Sequence, residues 1–142
     1  MRISPSRIKI QLKKFKNTPF AQNLGMKIVK LKPGYAELSL AYQKKITQPY
    51  GFMHGGAIAA LADTAAATAI HTLLEPEDKM VSIELKINYI APVTKGKIFA
   101  GSKVIHLGRK TAVTDVDIKD SEGKLCAKSI VTYMLFPGGK IR

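Results

Sequence analysis

The period of hydrophobic and polar positions changes several times along the chain, and each change marks an element. After Pro5, the residues Ile8, Leu12 and Phe15 fall at i, i+4 and i+7, with Arg7, Lys9, Lys13, Lys14 and Lys16 on the polar side. That spacing predicts a short amphipathic helix. It can pack on its own domain or lie on a membrane surface, and the first reading is preferred. Residues 25–32 read as a strand, Pro33-Gly34 as a turn, 35–42 as the hairpin partner and 43–53 as a loop holding Gln48, Pro49 and Gly51. Further on, Val81, Ile83, Leu85, Ile87 and Tyr89 alternate with Ser82, Glu84, Lys86 and Asn88, the period of a strand. Turns at 92–96, 108–110 and 121–123 separate three more strands, over 97–107, about 112–119 and 124–136. The connections are short, which implies antiparallel pairing of successive strands.

Between the two halves lies a segment of another kind, GGAIAALADTAAATAIHTLL, residues 55–74. Alanine is the strongest helix former, so a long helix is predicted. A helix apolar on all sides is a buried one. Its length approaches a membrane span, but Asp63 sits in the middle and alanine, not leucine, dominates. One buried helix against a curled antiparallel sheet is an α+β architecture. No repeat or linker interrupts the chain. The expectation is a single domain over 1–142, with a basic N-terminal helix to residue 17, a core over 18–136 and a tail over 137–142.

Composition narrows the setting. A chain of 142 residues can bury a core without staples. With 46% hydrophobic and 23% charged residues it reads as globular, not disordered. The lone cysteine, Cys126, permits no internal disulfide, and the first twenty residues lack a secretory apolar stretch, so a cytoplasmic location is expected. His54, His71 and His106 are far apart and no HExxH or CxxC occurs, so no metal site is expected. The net charge of +13 attracts polyanions, among them nucleic acid, an acidic membrane or a phosphorylated small molecule. No nucleic-acid-binding motif is present, and neither nucleic acid nor membrane is the expected partner.

The chemistry gathers at the long helix. Asp63 is the only acid in it, and a buried carboxylate is costly unless hydrogen-bonded or paired. It is either a functional acid or a structural one held by a backbone or hydroxyl group. Gly55 and Gly56 open the helix, where unpaired N–H groups and the positive end of the dipole suit an oxyanion; the alternative is a tight loop-to-helix junction. His54, just before them, can polarise a carbonyl or hold the loop. An oxyanion site and a buried acid together describe a hydrolase for an activated acyl group. The eight residues from Gly55 to Asp63 span roughly 12 Å along a helix, too far to act on one carbonyl. Two antiparallel helices in a dimer would bring Gly55 of one near Asp63 of the other, which predicts a shared, two-fold-related site.

The stretch HGGAIAALADTAAATA and the downstream VSIELKINYIAPVTKG resemble the hotdog-fold thioesterase superfamily, in its PaaI-like branch, over about residues 18–136. The resemblance implies a hotdog fold, a curled sheet of five to six strands around one central helix at about 55–74. It also implies an acyl-CoA thioesterase with no cofactor, coenzyme A being part of the substrate, assembled as a homodimer and often as a dimer of dimers. Residue by residue, the Gly55 amide would bind the thioester oxygen. Asp63 of the other subunit would be the nucleophile or the general base. His54 would orient or polarise the thioester, and Ser82 would position the water or the carboxylate. Gln48 departs from the asparagine usual in that branch, although its amide makes the same contacts with a longer arm. Gly56 belongs with the binding residues. Gly108, Arg109 and Lys110, in a tight turn, are the best candidates for the phosphates of coenzyme A, with Lys95, Lys97 and Lys128 behind them. The competing readings are a non-catalytic acyl-CoA sensor on the same fold and a dehydratase of related fold.

Overall fold

The computed structural model describes residues 4–141; residues 1–3 of the expected N-terminal helix and Arg142 of the expected tail lie outside them. The elements run α1 (Pro5–Lys16), α2 (Pro19–Leu24), β1 (Lys27–Lys32), β2 (Tyr35–Ala41), α3 (Gly55–His71), β3 (Lys79–Tyr89), β4 (Lys97–Leu107), β5 (Thr111–Asp120) and β6 (Leu125–Phe136). Short 3-10 turns cover Lys44–Ile46 and Pro137–Gly139. The architecture is α+β: one antiparallel six-stranded sheet curled around a central helix.

The alanines explain how closely sheet and helix meet. Ala62, Ala65, Ala66 and Ala69 are fully buried, as are Leu61 and Ile70, against Leu38, Leu40, Ile98, Val116, Ile118 and Val131 of the sheet. Small side chains along α3 let the strands wrap it at short range. The curl has a local cause. The register shifts at Ile28/Lys30, Ser82/Glu84, Val104/His106 and Ile118/Lys119, and such bulges bend a strand and tighten its twist. Gly34, at φ 72°, makes the β1–β2 turn, and its N–H donates to Thr72 Oγ1 at 2.8 Å, tying the hairpin to the end of α3.

Four expectations need correction. The sheet order is β1-β2-β4-β5-β6-β3, so β3 pairs with β6 and not with its successor β4. The 90–96 connection crosses the sheet instead of closing a hairpin, which leaves β3 at an edge. At that edge Val81 is 42% and Ile83 51% exposed. The central helix ends at His71, capped by Thr72, and the strand expected from Gly25 begins at Lys27 because α2 occupies Pro19–Leu24. In α1 the face toward the domain carries Ile8, Gln11 and Phe15, while Leu12 is exposed. Arg7 pairs with Glu75, and Lys14 Nζ donates to the Pro76 carbonyl at 3.2 Å, which docks α1 on its own domain. No helix among the described residues is long and apolar enough to cross a membrane.

Candidate functional site

The N-terminus of α3 is built from His54 outward. The His54 side chain caps the helix: Gly56 N–H donates to Nδ1 at 2.7 Å. Ala57 and Ile58 N–H donate to the His54 carbonyl at 2.9 and 3.3 Å. Among the described residues the Gly55 N–H meets no protein acceptor, so it is the free donor at the positive end of the helix. Because Nδ1 accepts, the neutral His54 ring carries its proton on Nε2, and the ring is exposed. The structure also gives both glycines an intramolecular reason. A Cβ at Gly55 would stand 3.0 Å from Tyr89 Cζ, and one at Gly56 would stand 2.9 Å from His54 Nδ1.

Two clefts flank this helix end. Gln48, Phe52, Met53, Gly55, Ile58 and Tyr89 border one of about 380 Å³. Phe20, Leu24, Lys45, His54, Gly56 and Ala60 border the other, of about 280 Å³. Gln48 Oε1 accepts from Tyr50 N–H at 2.5 Å and Phe52 N–H at 3.3 Å, so its oxygen shapes the loop beside Gly55. Tyr89, at the end of β3, donates its hydroxyl to the Gly55 carbonyl at 2.7 Å.

Asp63 lies two turns further along α3 and is half-buried. The hydroxyl beside it is not that of Thr64, which donates back to the Ala60 carbonyl at 2.8 Å. It is the Tyr133 hydroxyl, which donates to Asp63 Oδ1 at 2.5 Å and lies 2.9 Å from the Asp63 carbonyl. Burial first, then the bond to the Asp63 carboxylate and its charge, push the Tyr133 phenol far above the ordinary tyrosine range. Ser82 stands opposite Tyr133 across β3 and β6. Asp63, Tyr133 and Ser82 therefore lie together, apart from Gly55, Gln48 and Tyr89.

The turn of Gly108, Arg109 and Lys110 belongs to the Asp63 end. Thr111 pairs with Met134 and Met134 with Val81, next to Ser82, whereas Tyr89 pairs with Ala127 near the opposite end of the sheet. Gly108 N–H closes the turn on the Thr111 carbonyl at 2.8 Å, and Arg109 and Lys110 are exposed. Lys110 and Lys140 border a cleft of about 380 Å³ floored by Met134, Leu135, Phe136 and Pro137. Lys128 is engaged elsewhere, in ion pairs of 2.5 and 2.6 Å with Asp115 and Asp117. Lys95 and Lys97 are exposed and border none of these clefts. Among the described residues no group of three or more His, Cys, Asp or Glu side chains can hold a metal. Cys126 is buried, and burial raises its thiol further from ionisation.

Sequence reasoning missed Tyr89 and Tyr133. Both carried a signal: a tyrosine in an apolar strand pattern needs a partner for its hydroxyl, and a lone acid in an apolar helix needs a donor.

Comparison with known proteins gives consistent matches. A family model described as "Thioesterase superfamily" matches residues 50–127. A 1,4-dihydroxy-2-naphthoyl-CoA hydrolase of Listeria monocytogenes is 32% identical over 111 residues, 78% of this chain and 90% of that protein. The proofreading thioesterase EntH of Klebsiella pneumoniae is 32% identical over 73% of this chain and 76% of its own length. Among solved structures, a thioesterase of Haemophilus influenzae superposes with a TM-score of 0.84 at 29% identity, covering 91% of this chain and 90% of that one. The PaaI protein of Escherichia coli shares the fold, with a TM-score of 0.87 at 24% identity over 96% and 97% of the two chains.

Proposed function

From the premise that this chain belongs to the thioesterase superfamily and is a thioester hydrolase, we propose that it cleaves an acyl-CoA to free acid and coenzyme A at a site shared by two subunits. The Gly55 N–H of one subunit is the oxyanion donor. Asp63 of the other is the nucleophile or the base that activates water. The single observation that carries this reading is the free Gly55 N–H at a helix N-terminus in a chain whose one helical acid, Asp63, is held in place by Tyr133.

The edge strand β3 supports the shared site. It leaves one side unpaired and exposes Val81, Ile83 and Tyr89, a liability when free and a template for a second copy. Antiparallel pairing of two β3 strands about a two-fold axis sets the Tyr89 end of one beside the Ser82 end of the other. Tyr89 carries Gly55 with it, and Ser82 carries Tyr133 and Asp63. Arg109 and Lys110 arrive with Asp63, where they meet the phosphates of the coenzyme. The clefts on the two sides of Gly55-Gly56 receive the two arms of the thioester. In this reading His54 donates from Nε2 to the thioester while its Nδ1 caps the helix. Gln48, its oxygen held by the loop, offers its amide N–H to the same cleft. Ser82, opposite Tyr133 on the neighbouring strand, orients the acid and its water. The dimer of dimers and the cytoplasmic location belong to the same proposal, the latter supported by the single cysteine.

Subunit complementation tests the sharing. Asp63→Ala and Gly55→Val proteins are each inactive, and mixing them after mild dissociation restores turnover, because a mixed dimer holds one intact site. Activity that stays absent in verified mixed dimers contradicts a shared site. The alternative, a non-catalytic acyl-CoA sensor, predicts tight acyl-CoA binding and no turnover by the unsubstituted protein.

A further inference from the structure

We propose that Tyr89 is a positioning residue: together with His54 it clamps the Gly55–Gly56 peptide from both ends and so aims the Gly55 N–H. The proposal rests on the thioesterase reading above and deepens it.

Two consecutive glycines are the residues least able to hold a peptide plane still. An oxyanion donor is effective only when it is preorganised and does not have to reorient as charge develops. The chain answers this conflict with two hydrogen bonds to one peptide unit. The Gly55 carbonyl accepts from the Tyr89 hydroxyl at 2.7 Å, and the Gly56 N–H of the same unit donates to His54 Nδ1 at 2.7 Å. Rotation of that peptide would break both bonds at once. Fixing it fixes the torsion on the C-terminal side of the Gly55 Cα.

The preceding unit, which carries the Gly55 N–H, is held as well, because its His54 carbonyl accepts from Ala57 and Ile58 N–H at 2.9 and 3.3 Å. What remains free is the Gly55 N–H. Tyr89 itself stands on firm ground. Ile90 and Ala91 N–H, immediately after it, both donate to the Cys126 carbonyl, at 2.8 and 3.1 Å. Its ring fills the space that a Gly55 side chain would need. The tyrosine therefore reaches the helix end from a rigid sheet, as a support for a catalytic group should. It touches neither the substrate oxygen nor the acid; it acts through the peptide.

Tyr89→Phe keeps the ring and removes the hydroxyl. The clamp predicts that kcat on the best substrate of an acyl-CoA panel falls about tenfold while KM stays within about twofold, since the lost alignment matters mainly in the transition state. It also predicts that the Gly56 amide exchanges its proton with solvent about tenfold faster, with the melting temperature nearly unchanged. A change in only one of the two readouts, or in neither, overturns the proposal. Should the unsubstituted protein turn over nothing on the panel, the thioesterase reading fails by itself, and Gly56 exchange alone then decides the clamp.

Discussion

Tyr133→Phe removes the one side-chain donor that the described residues offer to Asp63. The hydroxyl is buried, with Tyr133 only 5% exposed, and it reaches Asp63 Oδ1 at 2.5 Å. A hydrogen bond to a charged acceptor contributes about 1.5–3 kcal/mol. Asp63 is half-buried, so water replaces part of the lost donor, and about 2 kcal/mol is the expected cost. In an Asp63→Ala background the phenol keeps only the Asp63 carbonyl, 2.9 Å away, and the same substitution should cost about 0.5–1 kcal/mol. The double-mutant cycle should then show a coupling of about 1–1.5 kcal/mol. Urea denaturation of the four proteins measures it, at one protein concentration because self-association shifts apparent stability. The single Tyr133→Phe change should also lower Tm by roughly 4–8 °C for a domain of this size. Additivity of the two substitutions within about 0.4 kcal/mol would refute the assignment of this bond as the support of the acid.

Two further outcomes follow from other parts of the molecule. Burial, and then the charge of Lys14, lower the His71 imidazole from 6.5 to about 4. The unfolded chain therefore binds more protons between those values, so stability is complete above about 6.5 and falls as pH drops through that window. The full effect is about 3 kcal/mol, and His71→Gln should flatten the fall in urea midpoint between neutral pH and about 4.5; equal slopes in both proteins would contradict it. Replacing Arg109 and Lys110 together by Ala should raise KM for acyl-CoA by about tenfold, most at low salt, and leave kcat nearly unchanged. An unchanged KM at low ionic strength would remove that turn from the coenzyme site.

Much of this fold is legible in the sequence because each element carries a strong local signal. The alanine run fixes the central helix, and alternation fixes the strands after it. Sheet order is not local. Whether β3 lies beside β4 or β6 depends on contacts between residues some forty positions apart, such as Lys86 with Ile130. The helix α2 has six residues, too few to show a period. At the site, Asp63, His54 and the glycines stand out because each is costly or unusual where it occurs. Their partners do not. Tyr133 reaches Asp63 from 70 residues away and Tyr89 reaches Gly55 from 34, and in the sequence both look like core aromatics. The basic turn of Arg109 and Lys110 was visible, but that it travels with Asp63 follows only from the sheet register.

The central claim is that this chain hydrolyses acyl-CoA thioesters through Asp63. The most direct measurement follows free thiol released from aryl-, short- and long-chain acyl-CoAs by the unsubstituted protein and by Asp63→Ala. The account predicts turnover of at least one acyl class and a loss of at least about a hundredfold in kcat for Asp63→Ala, with the fold intact by circular dichroism. Full turnover by Asp63→Ala, or tight binding of acyl-CoA with no thiol released by the unsubstituted protein, would contradict it.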